Sequence, residues 1–205
     1  NNFVYFDKRK ISFKELINTA YLNRIPLSSS GFYKTDKINV NTKTLQGRPF
    51  LYFTYGAAVT EVIIDKLTGE NKILQVDIIH DVGNSINKRI DKGQIEGGYI
   101  QGLGWLTTEE VSWKSNGVLT THSPSTYKIP TAGETPFKFN VEIYDRGFNK
   151  EKVINRSKAV GEPPFMLAIS SFIALKDAVC NANKGKNSEN LIAPATAENI
   201  LKSLH

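Results

Sequence analysis

Only one cysteine, Cys180, occurs in the 205 residues. This excludes an intramolecular disulfide framework and a cysteine-rich metal site, and it gives no sign of an oxidising compartment. No apolar run has the length of a membrane span. The longest apolar-rich stretch, residues 165–180, is interrupted by Ser170, Ser171, Lys176 and Asp177. The first residues, Asn1-Asn2-Phe3-Val4-Tyr5-Phe6-Asp7, lack a start methionine and the basic-then-apolar order of a signal peptide. The chain therefore reads as cytoplasmic, without a membrane partner, and as a fragment or processed product. A Walker A sequence is missing, and Gly102-Leu103-Gly104 lacks the third glycine of a dinucleotide fingerprint and follows a helix-like segment. The three histidines, His80, His122 and His205, lie far apart without the i,i+4 spacing of a helical zinc site, so each reads as structural or solvent-exposed. Asn155-Arg156-Ser157 matches a glycosylation sequon, an accidental match in a chain without secretory signals.

What is present is an ordinary globular composition. Hydrophobic residues make up 40% and charged residues 22%, well away from the disordered class and sufficient for a sizeable core. The net charge of +6 raises the question of a nucleic-acid partner. The lysines are scattered singly, and the tightest run, Lys8-Arg9-Lys10, is too short to track a phosphate backbone. No nucleic acid is expected.

Ser12 and Glu15 have capping-box spacing before Leu16, Ala20 and Tyr21, predicting a helix over 12–24 that Pro26 stops. Residues 27–47 read as a polar connection. Residues 49–65 and 72–82 predict the two strands of a long hairpin around Leu67-Thr68-Gly69-Glu70-Asn71. A second helix is expected over 90–110, a short hairpin over 111–120 and a half-buried strand over 137–144. A mostly apolar helix is expected from Pro164 to Asn181, and a terminal helix runs to Leu204. No linker cuts the chain, so residues 1–205 read as one fragment of α+β class: mixed sheets with long hairpins and packed helices.

Two features do not fit a routine fold. Gly93, Gly97, Gly98, Gly102 and Gly104 fall inside the second helix, where each costs about 0.8–1 kcal/mol relative to alanine. Such a helix is expected to press its backbone against another backbone or a bulky ligand. In Gly161-Glu162-Pro163-Pro164, Pro163 should hold Glu162 away from the αR region and pin its carboxylate on a rigid, partly dry turn at a helix start. Burial would raise its pKa and the helix dipole would lower it, which suits a poised base. The residues alone leave a second reading open, in which Glu162 merely caps the helix.

Seven blocks in order carry a resemblance. They are residues Ser30-Gly31-Phe32-Tyr33-Lys34-Thr35, Tyr52-Phe53-Thr54-Tyr55-Gly56-Ala57, Asp81-Val82-Gly83-Asn84-Ser85-Ile86-Asn87, Gly93-Gln94-Ile95-Glu96-Gly97, Gln101-Gly102-Leu103-Gly104, Pro124-Ser125-Thr126-Tyr127-Lys128-Ile129-Pro130, and residues 157–164. From about Leu27 to the C-terminus they resemble the last part of the molybdenum-binding subunit in the xanthine dehydrogenase/aldehyde oxidase family of molybdenum hydroxylases. The resemblance implies that the fold is the C-terminal half of a molybdopterin-binding domain. It implies a general base at Glu162 beside the metal, and an approach of Gln94 to the pterin–molybdenum cofactor. Lys158 and Gly161 would flank the base and help place it, as cofactor-side residues. Gln101, Ser125, Thr126 and Lys128 would be supporting or structural.

The same resemblance implies oxidation of hypoxanthine or xanthine with water-derived oxygen, with molybdenum-molybdopterin in the complete enzyme and 2Fe-2S and FAD on partner domains or subunits. The remainder of the molybdenum-binding subunit would be a partner too, and the fragment alone would be inactive. Aldehydes or other heterocycles are the alternative substrates within the family. A different class of reading is a non-catalytic assembly module of a larger complex.

Overall fold

In the computed structural model, which describes residues 2–185 and 190–205, Asp7 takes a left-handed turn at φ 52°. The turn folds Phe3–Phe6 (β1) back onto Arg9–Ser12 (β2), a hairpin not anticipated from the sequence. Ser12 then caps Phe13–Leu22 (α1), its hydroxyl accepting from the Glu15 N–H at 3.2 Å. The helix ends at Leu22, before Pro26, because Arg24 turns left-handed at φ 56°. Within the expected polar connection, Asn39–Asn41 (β3) pairs with Gln46–Arg48 (β4). These elements make up one compact unit, Asn1–Leu51; Tyr52–His205 form the other. None of the described residues of the first unit is buried.

The second unit is built on a three-stranded sheet ordered β5-β6-β7. Gly56–Ile64 (β5) and Asn71–His80 (β6) form the expected antiparallel hairpin, with β5 starting later than predicted. Asp65 accepts from the N–H groups of Leu67 and Thr68 at its turn, and these bonds hold its carboxyl below the ordinary range. Lys138–Ile143 (β7) runs parallel to β6, so the chain must cross over between them. Lys88–Thr107 (α2), capped by Asn87, lies in that crossover.

A bulge sets which residues face the core. The register steps from Glu61↔Gln75 to Val62↔Ile73, leaving Leu74 unpaired. That extra residue shifts the alternation, so Ile73 before it and Val76, Ile78 and His80 after it are all buried. Ile73, Val76 and Ile78 pack with Val82, Ile95, Tyr99, Leu103, Val141 and Ala168 in one core.

A 3₁₀ segment, Pro163–Ala168, leads into Ile169–Ala182 (α3). Leu175 and Val179 of α3 join Leu191, Ala195 and Ile200 in a second core. Ile200 belongs to the last helix, Ala197–Leu204 (α4), capped by Thr196. The continuous helical stretch Pro163–Ala182 corrects the expectation that no segment has membrane-spanning length. It is 20 residues long and apolar enough to cross a membrane, by length and composition alone. Its apolar character serves packing on one side: Pro164, Ala168, Leu175 and Val179 are buried, whereas Met166, Ile169 and Ile173 are exposed.

A chain of buried and half-buried hydroxyls joins the helices to the sheet. The Tyr99 hydroxyl lies 2.5 Å from Ser171 Oγ and 3.2 Å from Thr60 Oγ1, and Thr60 meets Ser170 Oγ at 2.7 Å. This links α2, α3 and β5. Tyr99→Phe should lower stability by about 1–2 kcal/mol without changing the fold, since it strands the buried Ser171 hydroxyl. Urea unfolding of the two proteins side by side would measure it, and equal midpoints would show the network to be idle.

Candidate active site

The residues that the sequence singles out lie where α2 meets the stretch 157–165. Gly98 approaches the loop so closely that a Cβ there would stand 2.7 Å from the Gly161 carbonyl oxygen. One turn on, a Cβ at Gly102 would collide with the Phe165 carbonyl oxygen and with Ala168 Cβ. The glycine-laced helix is therefore explained at these positions by another backbone. Gly104 is occupied differently, by the Glu109 carboxylate and the Pro130 ring. Gly93 and Gly97 have nothing within 4 Å.

This contact brings Gln94 to the loop. Its Oε1 lies 3.6 Å from where a Cβ of Gly161 would stand, and its side chain is exposed. Glu162 follows directly and is also exposed, contrary to the partly dry turn expected. Its backbone is at φ −100°, ψ −28°, inside the αR region that Pro163 was expected to close off. The cause is the first 3₁₀ turn: the Phe165 N–H donates to the Glu162 carbonyl at 2.9 Å, which requires a near-helical residue before the prolines. The Glu162 side chain makes no capping hydrogen bond. Capping therefore does not account for it.

Lys158 points elsewhere. Its ammonium donates to Asp81 Oδ2 at 2.5 Å, with the two side chains only 6% and 10% exposed. It also sits 5.1 Å from the centre of the Tyr55 ring. The other Asp81 oxygen accepts from the Gly83 N–H at 2.8 Å. Removing one partner of a buried ion pair costs about 3–5 kcal/mol, because the other charge is left unpaired. The backbone is stitched at the same place: the Lys158 N–H donates to Val82 O at 2.8 Å, and Gly83 bridges to Ser157. Gly83 is at φ +62°, and a Cβ there would stand 2.5 Å from the Arg156 carbonyl oxygen, so only glycine fits. Asn149 donates to Ser157 O at 2.9 Å, and the Tyr52 hydroxyl accepts from the Ala159 N–H at 3.0 Å.

His80, beside this pair, is 2% exposed, and its Nδ1 has no partner. Burial pushes its pKa below the ordinary value, the Asp81 carboxylate pulls it back, and the Lys158 ammonium lowers it again. Sequence spacing missed Asp81 as a partner of Lys158, which is 77 residues away. Its one signal was membership of the Asp81–Asn87 block.

Pro124 and Tyr127 help line an open cavity of about 460 Å³. The Tyr127 hydroxyl donates to Glu109 Oε2 at 2.6 Å, and this bond, with burial and the glutamate charge, raises the phenol's pKa. Gln101, Ser125, Thr126 and Lys128 are exposed.

Comparison with known proteins bears on the family. The sequence profile of the molybdopterin cofactor-binding domain matches residues 1–136. Over 195 residues the chain is 48% identical to xanthine dehydrogenase/oxidase of Felis catus, covering 92% of this chain and 15% of that one. It is 46% identical over 199 residues to xanthine dehydrogenase of Oryza sativa subsp. japonica, covering 92% of this chain and 14% of that one. Among solved structures, Cu,Mo-CO dehydrogenase in the carbon monoxide reduced state superposes with a TM-score of 0.64 at 26% identity, over 74% of this chain and 19% of that chain. The aldehyde oxidoreductase from Desulfovibrio desulfuricans ATCC 27774 superposes with a TM-score of 0.61 at 25% identity, over 78% and 16%. The chain thus spans only about 15% of the length of the relatives it matches. Matched by that profile over more than half its length, this chain belongs to the molybdopterin cofactor-binding domain family.

Proposed function

We propose that this chain is the part of a cytoplasmic, xanthine dehydrogenase-like molybdenum hydroxylase that supplies the catalytic glutamate, Glu162, and one wall of the molybdopterin site. Hypoxanthine or xanthine would be the substrate. The rest of the subunit and the 2Fe-2S and FAD domains or subunits would be the partners. One observation carries the reading: Gln94 and Gly161, the neighbour of Glu162 in the chain, meet across 67 residues beside a helix face left open at Gly93 and Gly97.

Those residues suit a large polar cofactor. The open glycine face leaves room for close approach, the Gln94 amide can both donate and accept, and the exposed Glu162 follows Gly161 in the chain. When bound, the cofactor supplies the redox chemistry and activates the oxygen that derives from water. Glu162 takes up a proton on its carboxylate during that transfer and must be ionised beforehand. Gln94 orients what lies beside it through neutral hydrogen bonds, adding no charge that would compete with the base. Lys158, bonded to Asp81 by its ammonium and to Val82 by its N–H, would hold the start of the loop that carries Glu162.

The purine reading rests on the likeness to the xanthine dehydrogenases; the likeness to an aldehyde oxidoreductase supplies the competing substrate class. A panel on the complete enzyme separates them. The kcat/KM for hypoxanthine and xanthine should exceed that for benzaldehyde and nicotinate by about tenfold or more. The reverse order would assign the enzyme to the aldehyde or other heterocycle branch.

A further inference from the structure

We propose that Asp81 is a positioning residue for the proposed catalytic loop, acting through its buried ion pair with Lys158. The proposal rests on the reading of Glu162 as the base and adds a residue that carries no chemistry of its own. Glu162 itself makes no side-chain capping bond and is exposed, so its place is fixed by the backbone on either side. On the C-terminal side, the Phe165 N–H and the buried Pro164 fasten the chain to the 3₁₀ turn against α2. On the N-terminal side, the fastening is at Lys158, four residues before Glu162, with the Ala159 N–H bonded to the Tyr52 hydroxyl just after it.

There the anchor is two-stranded. The Lys158 N–H bonds to Val82 O, and the Lys158 ammonium bonds to Asp81, so consecutive residues at the end of β6 hold one residue of the loop by both backbone and side chain. Asp81 is itself fixed by two hydrogen bonds and fits in a space left by a glycine. Its N–H donates to Tyr55 O at 2.8 Å, its Oδ1 accepts from the Gly83 N–H, and Gly147 leaves room for that oxygen where any Cβ would collide with it. A strand end with a fixed carboxylate thus sets where the loop begins its run to Glu162. The loop spans Ala159, Val160 and Gly161, and it is short enough that a shift at Lys158 is passed on. Misplacing a reacting group by about 1 Å costs on the order of 100-fold in rate.

The test is Asp81→Asn in the complete enzyme, which keeps shape and removes charge. The kcat per bound molybdenum should fall on the order of 10–100-fold, with KM changed by less than about threefold. Hydrogen–deuterium exchange should rise in the peptide covering residues 157–165 and stay unchanged in β5. Should Asp81→Asn fail to accumulate, Asp81→Leu combined with Lys158→Met replaces the pair by apolar groups of similar size, a change that buried pairs tolerate; it should show the same fall in kcat and the same local exchange. Wild-type kcat per molybdenum in either protein, or unchanged exchange over 157–165, overturns the proposal. So does a fall in rate that merely follows lost molybdenum. Glu162→Gln in the same preparation separates the two claims: if it keeps turnover, the base assignment fails, while the exchange measurement still decides whether Asp81 holds the loop.

Discussion

Replacing Glu162 by glutamine should lower kcat per bound molybdenum by about 10³-fold, the middle of the range that general bases contribute, and leave thermal stability unchanged. Glutamine keeps the size of the side chain and its capacity to accept a hydrogen bond, but it cannot take up a proton. Binding should survive, so KM should move little; a loss confined to kcat is the mark of an interaction made in the transition state. The second half of the expectation comes from the geometry. Helix-capping side chains are worth about 0.5–2 kcal/mol, and Glu162 makes no capping hydrogen bond and is exposed. A protein that melts earlier but turns over normally would reverse the assignment and make Glu162 a structural residue. Molybdenum content, measured on both proteins, guards against a variant that is slow only because it is empty.

The elements with strong periodicity were legible in the sequence, and those governed by distant partners were not. The hairpin of β5 and β6 follows from dense β-branched and aromatic runs around a turn sequence, and α1 from its Ser12–Glu15 cap. The parallel placement of β7 beside β6 was not readable, since alternation in residues 137–144 fixes a strand and its faces but not its neighbour. The β1–β2 hairpin was missed because its turn is made by Asp7 and Lys8 without glycine or proline. At the site, glycines at 98 and 102 announced a close approach, and the approach is to the 161–165 backbone. The αR conformation of Glu162 was hidden because the pre-proline preference is local, whereas the bond from Phe165 that overrides it forms only once the 3₁₀ turn exists. The Asp81–Lys158 pair was out of reach for the same reason: two common charged residues far apart give no signal until the fold joins them.

The glycines of α2 should respond in opposite directions to one methyl group, and the contrast tests the packing on which the site depends. In a free helix interior, Gly→Ala is worth about 1 kcal/mol in favour of alanine. At Gly97 nothing lies within 4 Å, so Gly97→Ala should realise that gain or leave stability unchanged. At Gly102 the new methyl meets the Phe165 carbonyl oxygen and Ala168 Cβ. Neither can swing aside, because one is backbone and the other is a fully buried side chain packed in the core. Overpacking of this kind costs roughly 1–3 kcal/mol, and more where backbone must move. After the helix gain is set against it, Gly102→Ala should lose about 2 kcal/mol. The loss has a second consequence: pushing residues 165–168 away from α2 also carries off Glu162, which is joined to Phe165 by a backbone hydrogen bond. Gly102→Ala should therefore lose kcat even at temperatures where it is folded, whereas any effect of Gly97→Ala should fall on molybdenum content, because its open face is the side assigned to the cofactor. Denaturant midpoints together with kcat per molybdenum for the two variants would check both halves. Equal stability for the pair would mean that α2 does not bear on the 161–165 backbone in the folded enzyme.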